Sequence, residues 1–238
     1  TQAAMLSAGA DLAAVGCLVE AFPPEHVGPG LRLYLDWLNS LTTPEAIARE
    51  IYVESPLAHP SVMLRADWIR RVGGYQDHGW PEDYDLWLRL HAAGGRFAKV
   101  PQTLFYWREH PGRLTHGDPR YSIDSFLRAK TCYLSRGPLQ GRQSVILWGA
   151  GIVAKKLSRL LLAEGLPLTA FVDVDPAKIG RTRRGLPVIG PQDFSTLWRR
   201  SPQPVLLAAV GARGARALVR EQITSFGLVE GRDWWAVA

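Results

Sequence analysis

The stretch "SVILWGAGIVAKKLSRLLLAEGLPLTAFVDVD", residues 144–175, decides the fold of the C-terminal part of the chain. An apolar run ends at a glycine turn, a pattern with helical spacing follows, and a second apolar run ends in two aspartates. This order predicts two parallel strands joined by a crossover helix. Strand and helix patterns continue to alternate up to residue 238. The sequence therefore predicts an α/β domain with a parallel sheet over residues 143–238.

The glycine turn of this domain has the composition of a phosphate-binding turn. Gly149 and Gly151 stand between the first strand and the helix, where glycines let backbone N–H groups at a helix start approach a phosphate. Asp173 and Asp175 follow the next strand, where a ribose-binding acid is expected. The turn therefore favours a nucleotide ligand.

The layout of "DVDPAKIG", "GLPVIG" and "AAVGARGARALVREQ" after this turn resembles the small Rossmann-like domains that precede the acyltransferase part of bacterial sugar O- and N-acyltransferases. Those domains bind a nucleotide-linked amino sugar. The alternative is a scaffold that binds nothing and serves as a docking surface. The resemblance implies a site for a nucleotide or nucleotide-sugar formed by Gly149, Gly151, Asp173, Asp175, Gly211 and Arg213.

The net charge of +6 is concentrated in the C-terminal part. Residues 142–238 hold 14 Lys and Arg against 7 Asp and Glu, whereas residues 1–141 hold 14 against 15. This excess indicates an anionic partner, either a phosphate-bearing small molecule or an anionic membrane surface, unless it is solvated surface. Nucleic acid is not an expected partner, because no aromatic-and-basic binding motif accompanies the charge.

The N-terminal part contains mixed strand and helix patterns. A buried strand is expected at residues 12–19, and "RFAKVPQTLFYWREH" is expected to form two short strands broken at Pro101. Helices are expected to close on Gly73-Gly74 and on Gly94-Gly95. Residues 119–142 read as a connecting helix and linker, which places the domain boundary near residue 142.

The stretch "GGYQDHGWPEDYDLWLRL", residues 73–90, groups three acids at the start of an apolar helix. Helical spacing places Asp83 on the buried stripe, whereas Asp85 is expected to form an exposed ion pair with Arg89. Backbone N–H groups hold an acid in the first turn charged, while apolar neighbours raise its pKa. Asp83 is therefore a candidate general base, although the acids of this turn, Glu82 among them, could simply favour a helix start.

Residues 59–115 closely resemble the C-terminal half of family 2 glycosyltransferase catalytic domains, which have the GT-A fold. The resemblance rests on "HPS" at 59–61, "GGY" at 73–75, "EDYDLWLR" at 82–89 and "YWREH" at 106–110. It implies that residues 1–118 are an incomplete GT-A-type domain, followed by the Rossmann-like domain. It further implies that Asp83 is the base of an inverting sugar transfer from a nucleotide-sugar donor to a hydroxyl acceptor.

The same resemblance implies roles for further residues. Glu82 would orient the acceptor or the base, and His110 would approach the donor diphosphate or a divalent metal, Mn or Mg. The metal-binding acids and the donor-binding half of the family precede the region matched here, so this chain is expected to be inactive by itself. The other implied substrate-binding residues are His59, Ser61, Gly74, Tyr75, Trp80 and Arg108.

The predicted role is therefore bacterial cell-surface glycan synthesis in the cytoplasm. A lipid-linked acceptor would bring the basic C-terminal domain to the inner face of the membrane, and the acceptor is otherwise a glycan. The alternative function is a non-catalytic module that binds a nucleotide or dinucleotide. An oxidoreductase is disfavoured, since residues 144–238 offer no convincing catalytic His, Tyr or Lys.

Overall fold

A computed structural model describes residues 1–212 and 214–238, which form two compact units. The first unit is Thr1–Phe126 and the second is Leu127–Ala238. The division falls within one helix, α7 (Ile123–Arg136), so residues 127–142 are grouped with the second unit. The finer domain limits drawn from the sequence stay a prediction.

The first unit is built on a three-stranded sheet. Strand β1 (Leu12–Phe22) lies in the centre, antiparallel to the short strand β2 (Met63–Leu64) and parallel to β3 (Arg96–Arg108). Short 3-10 turns lie at Pro24–His26, His59–Ser61 and Pro119–Tyr121. The helices of this unit are α1 (Gln2–Ala8), α2 (Pro29–Ser40), α3 (Pro44–Glu50), α4 (Ala66–Arg71), α5 (Glu82–Ala92) and α6 (Leu114–Gly117).

Strand β1 is apolar because both of its faces are covered. Successive side chains of a strand point to opposite faces, and the neighbouring Ala14 and Val15 are both fully buried. A strand buried on both sides must carry apolar residues without alternation, and the first six residues of β1 are all buried.

Strand β3 corrects the prediction of two strands broken at Pro101. The strand is continuous, and its pairing with β1 passes from Val100 opposite Cys17 to Thr103 opposite Leu18. Pro101 and Gln102 are left out of the register. Because proline lacks the N–H that a ladder needs, a bulge accommodates it without ending the strand.

The second unit contains a six-stranded sheet that is parallel except for its first edge strand. Its strands are β4 (Ser144–Trp148), β5 (Leu168–Val172), β6 (Thr182–Arg183), β7 (Leu186–Ile189), β8 (Pro204–Ala208) and β9 (Trp234–Ala236). The spatial order is β6-β7-β5-β4-β8-β9. Helices α8 (Ile152–Ala163), α9 (Pro191–Arg200) and α10 (Ala215–Ser225) connect these strands. The predicted α/β class with a parallel sheet is confirmed.

The connections of this sheet run in two opposite directions from β4. The β4–α8–β5 connection moves toward one edge, and the β7–α9–β8 connection returns past β4 toward the other. Since such crossovers are right-handed, α8 covers one face, while α9 and α10 cover the opposite face. Aromatic contacts agree, because Phe194 of α9 packs on Trp148 at 5.3 Å and on Phe226 at 5.0 Å between ring centroids.

Candidate functional site

The first unit contains a cavity of about 650 Å³ beside the N-terminus of α5. Pro81 immediately precedes the helix, so the first turn presents two acids at the cavity wall. Four of the residues singled out in the sequence line this cavity, namely Glu82, Asp83, His59 and His110. The structure thus brings together the acids and the two histidines that the sequence separates by up to 51 positions.

Asp83 is a half-buried carboxylate with an altered pKa. Burial raises the pKa of Asp83 to about 6, although the Tyr84 N–H donates to Oδ1 at 2.8 Å and lowers it. The charge of His59 also lowers this pKa, whereas Glu82 raises it. The sequence indicated both effects without their balance, and in the structure burial among apolar neighbours outweighs the hydrogen bond at the helix start. Such a group exchanges its proton near neutral pH.

Glu82 faces a tyrosine and an arginine from the 3-10 turn Pro119–Tyr121. The Tyr121 hydroxyl donates to Glu82 Oε1 at 3.3 Å, and Arg120 Nη1 lies 3.8 Å from Oε2. The Glu82 side chain keeps 30% of its surface exposed. The 3-10 turn Pro119–Tyr121 therefore orients the Glu82 carboxylate, which remains accessible from the cavity.

Asp85 is buried, so the prediction of an exposed ion pair was wrong. Its side chain is fully buried and accepts from Arg89 Nε at 2.7 Å and from Trp80 Nε1 at 2.9 Å. Trp80 lies in the loop that precedes α5, and its indole N–H reaches Asp85 from outside the helix. Sequence spacing gives the Asp85–Arg89 pair correctly, but it carries no information on the loop that encloses it.

His59 connects the cavity to the loop that follows α4. Its Nε2 lies 2.8 Å from the Tyr75 hydroxyl, and the two rings pack at 5.4 Å between centroids. Ser61 is buried and donates to the Ala58 carbonyl at 2.7 Å. Gly74 has φ +70° and closes α4 through a hydrogen bond from its N–H to the Ile69 carbonyl. Ser61, Gly74, Tyr75 and Trp80 are not among the residues that line the cavity.

Arg113 lines the cavity, whereas Arg108, which the sequence singled out, is exposed and lies outside the lining. The Arg113 guanidinium lies 4.1 Å above the Trp107 ring and pairs with Glu109. It is only 10% exposed. Neither helical nor strand spacing around Arg113 indicates this placement in the cavity.

Glu109 pairs with two side chains of the segment that forms this part of the cavity wall, Arg113 and His116. His116 Nε2 lies 2.6 Å from Glu109 Oε1, and Arg113 donates to Oε2. Burial alone would raise the pKa of Glu109, but the hydrogen bonds from His116 and Arg113 outweigh it and hold the pKa below its ordinary value. Residues 109–116 are therefore folded back on an ionised carboxylate.

The second unit contains a crevice of about 820 Å³ at the carboxyl ends of β4 and β8. This is the point where the strand order reverses, which is the usual ligand position in open parallel sheets. Gly149 and Gly151 line the crevice, as do Asp173, Asp175 and Gly211. Arg213, the remaining residue singled out in the sequence, lies outside the described residues.

The two glycines of the turn differ in what a side chain would meet. Gly149 has φ +109°, and a Cβ there would lie 2.9 Å from Val210 Cγ2. Gly151 has φ −81°, and a Cβ there would meet no atom within 4 Å. The first glycine is therefore required by the turn itself. The second keeps open the space in front of the α8 N-terminus, which a ligand phosphate could enter.

Asp173 is engaged within the protein. Its Oδ2 accepts from the Ala150 N–H at 2.7 Å, and its Oδ1 accepts from the Asp175 N–H at 2.9 Å. Lys178 Nζ lies 3.2 Å from Asp173 and 3.3 Å from Asp175. Asp173 therefore supports the glycine turn, while Asp175, which is more exposed, remains the carboxylate at the crevice.

The described residues contain neither a cluster suited to a metal ion nor a helix suited to a membrane span. No group of three or more His, Cys, Asp or Glu side chains in that part of the chain could hold a metal ion. The divalent metal implied by the resemblance stays a prediction, as does the assignment of His110 to it. No helix formed by the described residues is long and apolar enough to cross a membrane.

Comparison with known proteins found one partial relative and distant structural neighbours. No family profile matches the chain. A 52-residue segment is 38% identical to the amylovoran biosynthesis glycosyltransferase AmsE of Erwinia amylovora, covering 22% of this chain and 20% of that protein.

Two solved structures align with part of the chain. A Rex-family repressor, RSP, aligns over 47% of this chain and 60% of its own with 12% identity and a TM-score of 0.36. UDP-D-quinovosamine 4-dehydrogenase from Vibrio fischeri aligns over 36% of this chain and 73% of its own with 20% identity and a TM-score of 0.32.

Proposed function

We propose that the chain is part of a glycosyltransferase and that the cavity of the first unit is where the acceptor is activated. The observation that carries this proposal is Asp83, a half-buried carboxylate on the cavity wall with a pKa raised to about 6. The partial similarity to AmsE supports the same function. Because that similarity covers a fifth of AmsE, activity should be measured on the intact protein that contains this sequence.

The proposed reaction is an inverting transfer from a nucleotide-sugar to a hydroxyl, in the synthesis of a bacterial cell-surface glycan. Asp83 accepts the proton of the hydroxyl while its oxygen forms a bond to the anomeric carbon. The bond from that carbon to the donor diphosphate breaks, and the nucleoside diphosphate leaves with its electron pair. Attack opposite to the leaving group inverts the anomeric configuration. Glu82, with Tyr121 beside it, orients the acceptor.

The pH dependence of transfer tests this assignment. A base acts only when it is deprotonated, so a pKa raised to about 6 keeps Asp83 inactive up to a higher pH than an ordinary Asp. We expect kcat/KM to rise about tenfold per pH unit below a midpoint near 6 and to level off above it. Since the Glu82 charge raises this pKa, Glu82→Gln should move the midpoint to lower pH. A midpoint near 4 in the wild type would contradict the assignment.

Arg113 is the group that we propose for the donor diphosphate, in place of Arg108. Its guanidinium is held in the cavity by Trp107 and Glu109, and such a fork matches phosphate oxygens. We expect Arg113→Lys to raise the KM for the donor roughly 10-fold or more, since hydrogen bonds to charged groups contribute about 1.5–3 kcal/mol. Arg108→Lys is the matched control and should leave KM within about twofold, because Arg108 is exposed outside the cavity. Equal effects of the two substitutions would refute this role.

A second function, nucleotide binding, is favoured by the crevice of the second unit. Its supporting observation is the open space at Gly151, in front of a helix N-terminus at the reversal of the strand order. This function needs no catalytic group and is compatible with sugar transfer by the first unit.

Substitutions at the two glycines distinguish a ligand-binding turn from a turn that has only a structural role. We expect Gly149→Ala to destabilise the second unit by about 1–3 kcal/mol, because alanine would be strained at φ +109° and would contact Val210. Gly151→Ala should leave the melting temperature unchanged but abolish binding of UDP, ATP or NAD, measured by calorimetry. If the wild type binds none of these probes, or Gly151→Ala binds as well as wild type, the crevice is not this site.

A further inference from the structure

The outward face of α8 is basic and carries no acid. Ile152, Lys155, Arg159 and Leu162 follow one another at intervals of three or four residues, so they lie on one side of the helix. Lys155 and Arg159 are exposed, and the two aliphatic side chains keep 78% and 39% of their surface in solvent. The opposite side, with Leu157 among its residues, packs on the sheet.

The hairpin of β6 and β7 extends this basic face. Arg184 lies between the two strands with φ +53°. Its side chain forms two hydrogen bonds with α8. Its Nε donates to the Ser158 hydroxyl at 3.0 Å, and its Nη2 donates to the Lys155 carbonyl at 2.9 Å. The exposed Arg181 directly precedes β6, and its carbonyl accepts from the Val188 N–H at 2.9 Å. Helix and hairpin thus form one surface, which we call the α8 face.

Most cations of the α8 face have no acidic partner. Among the described residues, no carboxylate forms an ion pair with Lys155, Arg159 or Arg184, whereas Arg181 lies close enough to Asp175 to lower the pKa of that carboxyl. The neighbouring acids are Glu164, which follows the helix, and Asp175, which Lys178 already contacts at 3.3 Å. Three positive charges without a carboxylate partner on one surface create a field that attracts an anionic partner.

The side chains between these charges favour a membrane over a polynucleotide. We propose that the α8 face binds the surface of an anionic lipid bilayer. Lys and Arg near such a surface are attracted to its headgroups, while Ile152 and Leu162 can enter the boundary between headgroups and acyl chains. No aromatic side chain lies in α8 or in residues 181–187, although stacking on bases requires one. This inference is independent of sugar transfer.

Sedimentation with lipid vesicles tests the proposal on the whole chain. Vesicles of phosphatidylcholine and phosphatidylglycerol in a ratio of about 3:1 should bind the protein, and pure phosphatidylcholine vesicles should not. Binding should decrease strongly from about 50 to 500 mM salt, because salt screens exposed charges. The double substitution Lys155→Gln with Arg159→Gln should weaken binding about 25-fold, since each cation near the surface contributes about fivefold.

The matched control is Arg199→Gln with Arg200→Gln. It removes the same charge from the exposed end of α9, on the opposite face of the sheet. We expect this variant to bind vesicles within about twofold of wild type, and both variants to keep the wild-type melting temperature. Absence of vesicle binding at low salt, or equal weakening by both variants, would refute the proposal. Binding to single-stranded RNA through Lys155 and Arg159, without binding to vesicles, would also refute it and assign the face to a polynucleotide.

Discussion

We expect Asp83→Asn to reduce the proposed sugar transfer by the intact protein by roughly 10²–10⁴-fold, which is the usual contribution of a general base. Asparagine has nearly the same size and can still accept the hydrogen bond from the Tyr84 N–H, so the cavity keeps its shape. It cannot take a proton from the acceptor. Donor binding, measured by calorimetry with the nucleoside diphosphate, should therefore be unchanged.

The same substitution should not destabilise the protein. The pKa of Asp83 is higher in the folded chain than in the unfolded chain, so its ionised form is disfavoured by folding. The ionised carboxylate therefore lowers the free energy of unfolding at pH values above about 6, and this loss disappears as the pH falls toward 4. At neutral pH, Asp83→Asn should leave the melting temperature equal or higher. Loss of activity without loss of stability is characteristic of a functional group rather than a structural one.

Asp77→Asn is the matched control for Asp83. Asp77 is an exposed acid six residues earlier in the same segment, and its Oδ1 accepts from the Gly79 N–H. We expect it to retain activity within about twofold. If Asp83→Asn retained activity to the same degree, the acids at the start of α5 would only stabilise the helix.

Asp85→Ala should have the largest effect on stability, lowering the free energy of unfolding by about 3–5 kcal/mol. The substitution leaves the Arg89 guanidinium, which is 12% exposed, without the carboxylate that accepts from it at 2.7 Å. It also removes the acceptor of Trp80 Nε1. Leaving a buried charge unpaired costs far more free energy than an ion pair in water contributes. Urea denaturation measures the change.

Asp11→Ala tests whether the effect arises from burial. Asp11 pairs with Arg96 at 2.9 Å, a distance close to that of the buried pair, but the two side chains are 54% and 45% exposed. The loss should be below about 1 kcal/mol, because solvent screens an exposed pair. Similar losses from Asp11→Ala and Asp85→Ala would show that burial does not determine the cost of losing Asp85.

The fold was most predictable where local sequence dominates it. The alternation after residue 144 correctly gave a parallel sheet, since strand and helix patterns fix the connections of such a sheet. The start of α3 is equally local, because the Thr43 side chain accepts from the Ala46 N–H at 3.2 Å. Pro101 was misleading, because a missing N–H can be accommodated in a bulge as well as by ending a strand.

The candidate site was less predictable because long-range contacts decide it. The pattern around Asp83 was sufficient to find the carboxylate in the cavity wall. The burial of Asp85 depends on Trp80, and the choice of Arg113 over Arg108 depends on the segment that folds back on Glu109. Helical or strand periodicity contains none of these contacts.

Sugar transfer itself is the most direct test of the account. The intact protein should be incubated with a panel of nucleotide-sugars, an acceptor glycan or lipid-linked glycan, and Mn or Mg, and the anomeric configuration of the product determined by NMR. We expect wild type to form a glycoside whose anomeric configuration is inverted relative to the donor, and Asp83→Asn to form at most trace amounts of it. A product with retained configuration, or equal product from both proteins, would contradict it.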